Sequence, residues 1–96
     1  MKYGHRKRFC IGHRPSVSFY KPKGIPMRNL EVVDLSHEEL ESLRLKNVLK
    51  LDQVNSAKMM NTSQSTFQRI LSSAYKKVSL ALVEGKALKI NLHEDE

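Results

Sequence analysis

A mainly α domain of three helices, the second and third joined as a helix-turn-helix, is the fold class this sequence predicts. Three observations predict it. Ser36, Asp52 and Ser63 each stand immediately before a segment of helical periodicity, and Gly85 stands just after the last one. Phe67, Leu71, Ala74, Val78 and Leu82 recur at i, i+4, i+7, i+11 and i+15, a single apolar stripe on one long helix. Between these signals, Gln53 to Ser72 (QVNSAKMMNTSQSTFQRILS) offers small Ala57 where two helices would cross and Asn61 where the chain must turn. Short β-strands near residues 17–20 and 87–91 would make the unit winged-helix-like.

The N-terminal residues 1–29 read as a basic arm and loop. Met1 to Leu30 carries eight basic residues and no acid: Lys2, Arg6, Lys7, Arg8, Arg14, Lys21, Lys23 and Arg28. Pro15, Pro22, Gly24 and Pro26 exclude a helix there. Val17 to Tyr20 is a short strand candidate, and Lys21 to Arg28 a loop. Leu30 to Leu35 is an extended or strand-like lead-in to the first helix. Ser36 and Glu39 have the spacing of a capping box, in which each side chain bonds the other residue's amide, and Leu35 can staple against Leu40. Helix one is expected to run to about Lys46, with Leu40 and Leu43 inward, and to end where Asn47 turns left-handed.

Asp52 caps a second helix over about Gln53 to Met60, with Ala57 and Met60 facing the core. Asn61 tolerates the positive φ of a tight turn better than most residues do. Ser63 caps a third helix that reaches Glu84, roughly 30 Å at 1.5 Å per residue. Gly85 stops it, and Ala87 to Asn91 is a terminal strand suited to pair with Val17 to Tyr20. The folded unit thus spans residues 30–91, followed by an acidic tail at 92–96.

Composition bounds the partners. The 96 residues carry a net charge of +7, with an apolar fraction of 40%. That balance fits one folded domain with a polyanionic partner. The single Cys10 forms no internal disulfide, which fits a reducing compartment. No signal peptide precedes the domain and no apolar run reaches membrane length, so a cytoplasmic protein is expected.

The core positions of helix three determine what points outward. Ser63, Gln64, Ser65, Gln68, Arg69 and Ser72 lie on its exposed N-terminal half, the part that enters a major groove in a helix-turn-helix. Arg69 has the chemistry for a bidentate contact to guanine, and Gln64 or Gln68 for one to adenine, with Ser65 beside them. Ser63, Ser65 and Thr66 can donate to phosphates at the positive end of the helix. Lys76 and Lys77 can neutralise the backbone further along. Arg6, Lys7 and Arg8 have the composition of a minor-groove arm, or of a sequence-blind tether. Helical hairpins with small residues at the crossing also occur as plain core packing, and charge runs as solvated tails.

Other chemistry is sparse. Cys10-x-x-His13, with His5 nearby, has ligand-like spacing, but no second pair follows, so no metal or other cofactor is expected. Glu38, Glu39 and Glu41 read as a solvated helix face. No phosphate loop and no nucleophile signature occurs, so the chain is not read as an enzyme.

From Ser36 to Leu82 the pattern resembles the fourth region of bacterial sigma factors, a promoter-reading helix-turn-helix. More closely, almost the whole chain resembles the uncharacterised family of predicted DNA-binding proteins called domain of unknown function one hundred and thirty-four. The resemblance rests on Tyr20-Lys21-Pro22-Lys23-Gly24-Ile25-Pro26, Glu41-Ser42-Leu43-Arg44-Leu45 and the block from Met60 to Leu71. It continues through Ala74-Tyr75-Lys76-Lys77-Val78 and Ala81 to Leu88. It implies a prokaryotic, cytoplasmic regulator. Some family members carry a further domain similar to iron–molybdenum-cofactor-binding proteins. The chain departs from the family at Asn61, where a glycine is usual, and at Asn47 and Lys50, where an acid and a glycine are usual.

The expected function is therefore sequence-specific binding of double-stranded DNA in transcriptional regulation, with residues 63–84 as the recognition helix. Two alternatives come from other classes. One is a protein-interaction module of the transcription machinery or of a separately encoded regulatory or cofactor-binding partner. The other is RNA binding through Tyr3, Phe9, Phe19 and Tyr20 among the basic residues. A homodimer would have the two short strands and the far end of helix three as pairing surfaces.

Overall fold

The structure is a computed structural model that describes residues 10–12 and 18–91. Its elements are β1 (Phe19–Tyr20), β2 (Val32–Ser36), α1 (His37–Leu43), α2 (Gln53–Met59), α3 (Gln64–Glu84) and β3 (Ala87–Asn91). A short 3-10 turn at Met27–Asn29 precedes β2, and a π-helical turn at Arg44–Val48 extends α1.

The three strands form one sheet in the order β1-β3-β2. β1 runs antiparallel to β3, with Phe19 opposite Lys89 and Tyr20 opposite Leu88. β2 runs parallel to β3, from Val32 opposite Ala87 to Ser36 opposite Asn91. The expected pairing of the first and last strands is present. The strand-like lead-in at residues 30–35 is a strand, and it also forms the second edge of the sheet, which the sequence alone does not assign. A parallel pair needs a long crossover, and the whole helical unit between β2 and β3 is that crossover. The domain is accordingly mixed α/β, with three helices and a small sheet, rather than mainly α.

Local chemistry explains where the helices start. Ser36 Oγ accepts from the Glu39 amide at 3.1 Å, and the Ser36 amide donates to Glu39 Oε1 at 2.9 Å, which completes the capping box. Asp52 accepts from the Asn55 amide at 2.8 Å, and Ser63 from the Thr66 amide at 3.1 Å. The first helix ends differently from expectation. Its α-helical part stops at Leu43, and the chain widens into the π turn, where the Leu49 amide donates to the Arg44 carbonyl at 2.9 Å. The left-handed residue is Lys50 (φ 62), not Asn47. Asn47 lies inside the π turn, where its side-chain amide donates to the Tyr75 hydroxyl at 3.0 Å.

Two apolar clusters share α3. Leu45, Ala57, Met60, Phe67 and Leu71 form the first, beneath α1 and α2. Leu35, Ala74 and Ile90 form the second against the sheet, with Leu40, Val78 and Leu88 at its margin. Leu40 packs against the cluster that holds Leu35. The stripe on α3 is interrupted at its end. Leu82 is 79% exposed, and Ala81 beside it is the buried residue of that turn.

The acidic residues of α1 also depart from the sequence reading. Glu39 and Glu41 are buried rather than solvated. Glu41 forms a two-point ion pair with Arg44, at 2.9 Å to Nε and 2.8 Å to Nη2, and accepts from the Gly12 amide at 3.0 Å. The Glu41 carboxylate holds Arg44 above its ordinary pKa. Burial works against a charged Glu39. Hydrogen bonds from Ser73, the Ser36 amide and Lys77, together with the Lys77 charge, outweigh it and lower its pKa.

Candidate nucleic-acid interface

The geometry of the exposed helix begins in the turn before it. The Asn61 amide donates to the Lys58 carbonyl and the Thr62 amide to the Ala57 carbonyl, each at 3.0 Å. With Asn61 at φ 58, these bonds make a Schellman end to α2. Asn61 therefore takes the left-handed conformation expected of it. Ser63 then resets the chain to extended backbone (φ −76, ψ 159) and starts α3. Ala57, Met60 and Phe67 pack in the crossing of the two helices.

Phe67, Leu71, Ala74 and Ala81 are the buried residues of α3. Its opposite side carries Ser65, Arg69, Ser72 and Lys76 at i, i+4, i+7 and i+11, all exposed. Arg69 and Lys76 make no ion pair among the described residues. The first turn of α3 holds no acid, so its dipole is not opposed. Ser63 Oγ satisfies the Thr66 amide, leaving the amides of Gln64 and Ser65 as the orphan donors of the helix start.

The remaining candidates fall on the two flanks. Gln64 and Gln68 face α2, where Gln53 bonds both. Thr66 and Arg69 border an open groove against the start of α1, also lined by Ser36, Glu38, Glu39, Ile70 and Ser73. Lys77 differs from Lys76. Its ammonium lies 3.0 Å from Glu39 Oε1, so its charge is partly neutralised within the chain. Arg6, Lys7 and Arg8 lie outside the described residues, as do His5 and His13. Among the described residues no group of His, Cys, Asp or Glu is arranged to hold a metal, and no helix is long and apolar enough to cross a membrane.

Two parts of this surface carry no local signal in the sequence. Gln53 is an ordinary first-turn residue until α3 folds against it. Residues 10–12 are fixed beside the turn, because the Cys10 amide donates to the Met60 carbonyl at 3.3 Å and Gly12 to Glu41. The basic loop is also partly self-satisfied. Lys21 Nζ closes it by donating to the Ile25 carbonyl at 2.7 Å.

Comparison with other proteins gives relatives but no function. A UPF0251 protein of Dehalococcoides mccartyi is 54% identical over 80 residues, covering 83% of this chain and 68% of that protein. One from Vibrio vulnificus is 46% identical over 85 residues, 88% of this chain and 85% of the relative. One from Halothermothrix orenii is 47% identical over 79 residues, 82% of this chain and 58% of the relative. No solved structure matches. The family profile described as protein of unknown function DUF134 matches residues 1–94, and the chain belongs to that family.

Proposed function

We propose that this protein binds double-stranded DNA sequence-specifically as a cytoplasmic transcriptional regulator. In this reading α2 and α3 are a helix-turn-helix of the kind found in the fourth region of sigma factors. The N-terminal half of α3 enters the major groove. The observation that carries it is the outward row Ser65, Arg69, Ser72 and Lys76, whose two cations make no ion pair among the described residues. Such a row, running from the capped start of the helix past its middle, combines base-edge donors with phosphate-neutralising charge. The roles follow from position. Arg69, Gln64, Gln68 and Ser65 meet base edges. Ser63, Thr66, Ser72 and Lys76 meet phosphates, with Lys77 a weaker contributor because of Glu39. Arg6, Lys7 and Arg8 follow the backbone or the minor groove.

Fluorescence anisotropy against random duplex, single-stranded DNA and RNA across a salt series tests the reading. Binding to duplex with a steep salt dependence supports it. Absence of duplex binding at low salt overturns it, and preference for single strands favours RNA-type recognition. After binding-site selection, Arg69→Ala is expected to cost about 1–3 kcal/mol on the selected site and to relax its specificity. Equal loss on selected and random duplexes would reassign Arg69 to the backbone.

A second reading rests on a different observation. Leu80, Leu82 and Val83 are exposed on the last turns of α3, at 39%, 79% and 83%. Apolar residues so placed suit a protein partner or a second copy of the chain.

A further inference from the structure

We infer that Gln53 is a specificity-determining positioning residue, which orients the amides of Gln64 and Gln68 and couples the bases they read. The inference rests on the DNA-binding reading and deepens it.

The hydrogen bonds run in one direction. Gln64 Nε2 donates to Gln53 Oε1 at 3.3 Å, Gln53 Nε2 donates to Gln68 Oε1, and Gln68 Nε2 donates to Ser72 Oγ at 3.1 Å. A primary amide is asymmetric, with donors only on nitrogen and acceptors only on oxygen. Turning one of the three amides alone would set nitrogen against nitrogen or oxygen against oxygen. The chain therefore has two self-consistent orders, the observed one and its complete reversal. Ser72 can end either one, because a hydroxyl both donates and accepts.

This matters because an adenine contact is read by one amide donor and one amide acceptor together. Gln68 keeps one N–H and one lone pair beyond the relay, and Gln64 keeps one N–H and its carbonyl oxygen. Both therefore retain the capacity for a base. Gln53 determines in which direction that capacity points. Gln64 and Gln68 lie one helical turn apart, so their two readings change together. The preference at one base position then depends on the other, although Gln53 itself need touch neither.

The test begins with site selection by the wild-type protein. Affinities are then measured for duplexes altered at the two affected positions singly and together. For wild type, the two single-substitution penalties should not add. For Gln53→Ala they should add, the preferred duplex should weaken about tenfold, and random duplex should stay within about twofold. Gln53→Glu keeps the size but only accepts, so it forces Gln68 to present nitrogen inward. The preference should then change at the Gln68 position and hold at the Gln64 position. Thermal unfolding verifies that each variant is folded. Side-chain amide NMR of the free protein supplies a readout without DNA. Gln64 and Gln68 should hold single rotamers in wild type and average in Gln53→Ala. Averaged rotamers in wild type, or an unchanged and still coupled preference in Gln53→Ala, overturn the inference. Failure of wild type to select any duplex overturns the DNA reading itself, and the specificity role with it.

Discussion

Replacing Glu39 should remove a large share of this domain's stability. The side chain accepts three hydrogen bonds: from the Ser36 amide at 2.9 Å, from Ser73 Oγ at 2.5 Å and from Lys77 Nζ at 3.0 Å. These tie β2, α1 and α3 together at one carboxylate, which is only 7% exposed. Loss of the cap contact costs about 1 kcal/mol. The Ser73 bond, to a charged acceptor, contributes about 1.5–3 kcal/mol. The lysine is 36% exposed, so its pair is discounted to about 0.5 kcal/mol. Glu39→Ala should therefore cost about 3–4.5 kcal/mol. That is a large share of the roughly 5–15 kcal/mol total of a small domain. It corresponds to about 12–36 °C in Tm. Glu39→Gln keeps one acceptor and the shape, and should cost about half as much. The assay is urea unfolding followed by far-ultraviolet circular dichroism, since the chain has no tryptophan. A loss below about 1 kcal/mol for Glu39→Ala would refute the assignment of Glu39 as the joint between the three elements.

The same carboxylate predicts a pH signature. Its pKa is lowered in the folded state despite burial, by the hydrogen bonds and charge just described. A lowered folded pKa means that the stabilisation is complete above the unfolded value, about 4.3. It is lost as pH falls through the folded value. The stability difference between wild type and Glu39→Gln should be constant above about pH 5.5 and shrink below about pH 4.5. A difference that grows on acidification would reverse the sign and refute the account.

Further substitutions probe the turn, the crossing and the outward face. Lys50 holds φ 62 without the local hydrogen bonding that helps asparagine there, so Lys50→Gly should stabilise by about 1 kcal/mol in denaturant titration. Asn61→Gly, at φ 58, should gain less, because asparagine already tolerates this region. Ser56 is fully buried with no hydrogen-bond partner for its hydroxyl among the described residues. Ser56→Ala should therefore be neutral or raise stability by up to about 1 kcal/mol; a loss above that would reveal a bonded hydroxyl. Lys76→Ala should weaken binding to all duplexes similarly and reduce the slope of log K against log salt by about 1.

Where the sequence could be read, the reason was local. The capping box at Ser36 and Glu39, the caps at Asp52 and Ser63 and the left-handed Asn61 and Gly85 all act within a few residues of themselves. Lys50 takes its positive φ just past a π turn that no glycine or proline marks in the sequence. β2 is legible as an extended or strand-like segment, but its place in the sheet is not, because its parallel partner lies beyond the whole helical unit. Glu39 looked like a solvated charge because its partners, Ser73 and Lys77, are 34 and 38 residues away.

Leu82 marks the boundary between what periodicity shows and what only contact shows. Its place in the stripe from Phe67 follows the helical spacing, and yet it is 79% exposed, while its neighbour Ala81 is the buried residue of that turn. Periodicity reports direction and not the presence of a neighbour. That is why the outward face is the sounder inference. Phe67, Leu71 and Ala74 are buried by the domain itself, so the opposite residues Ser65, Arg69, Ser72 and Lys76 must look away from it. The flanks lack that protection. Gln64 and Gln68 acquire their orientation from Gln53, and Lys77 loses part of its charge to Glu39. A contact surface drawn from the helix alone therefore has a reliable centre and borders that the neighbouring helices rewrite. Substitutions at Arg69 and Lys76 test the centre, and those at Gln53 and Glu39 test the borders.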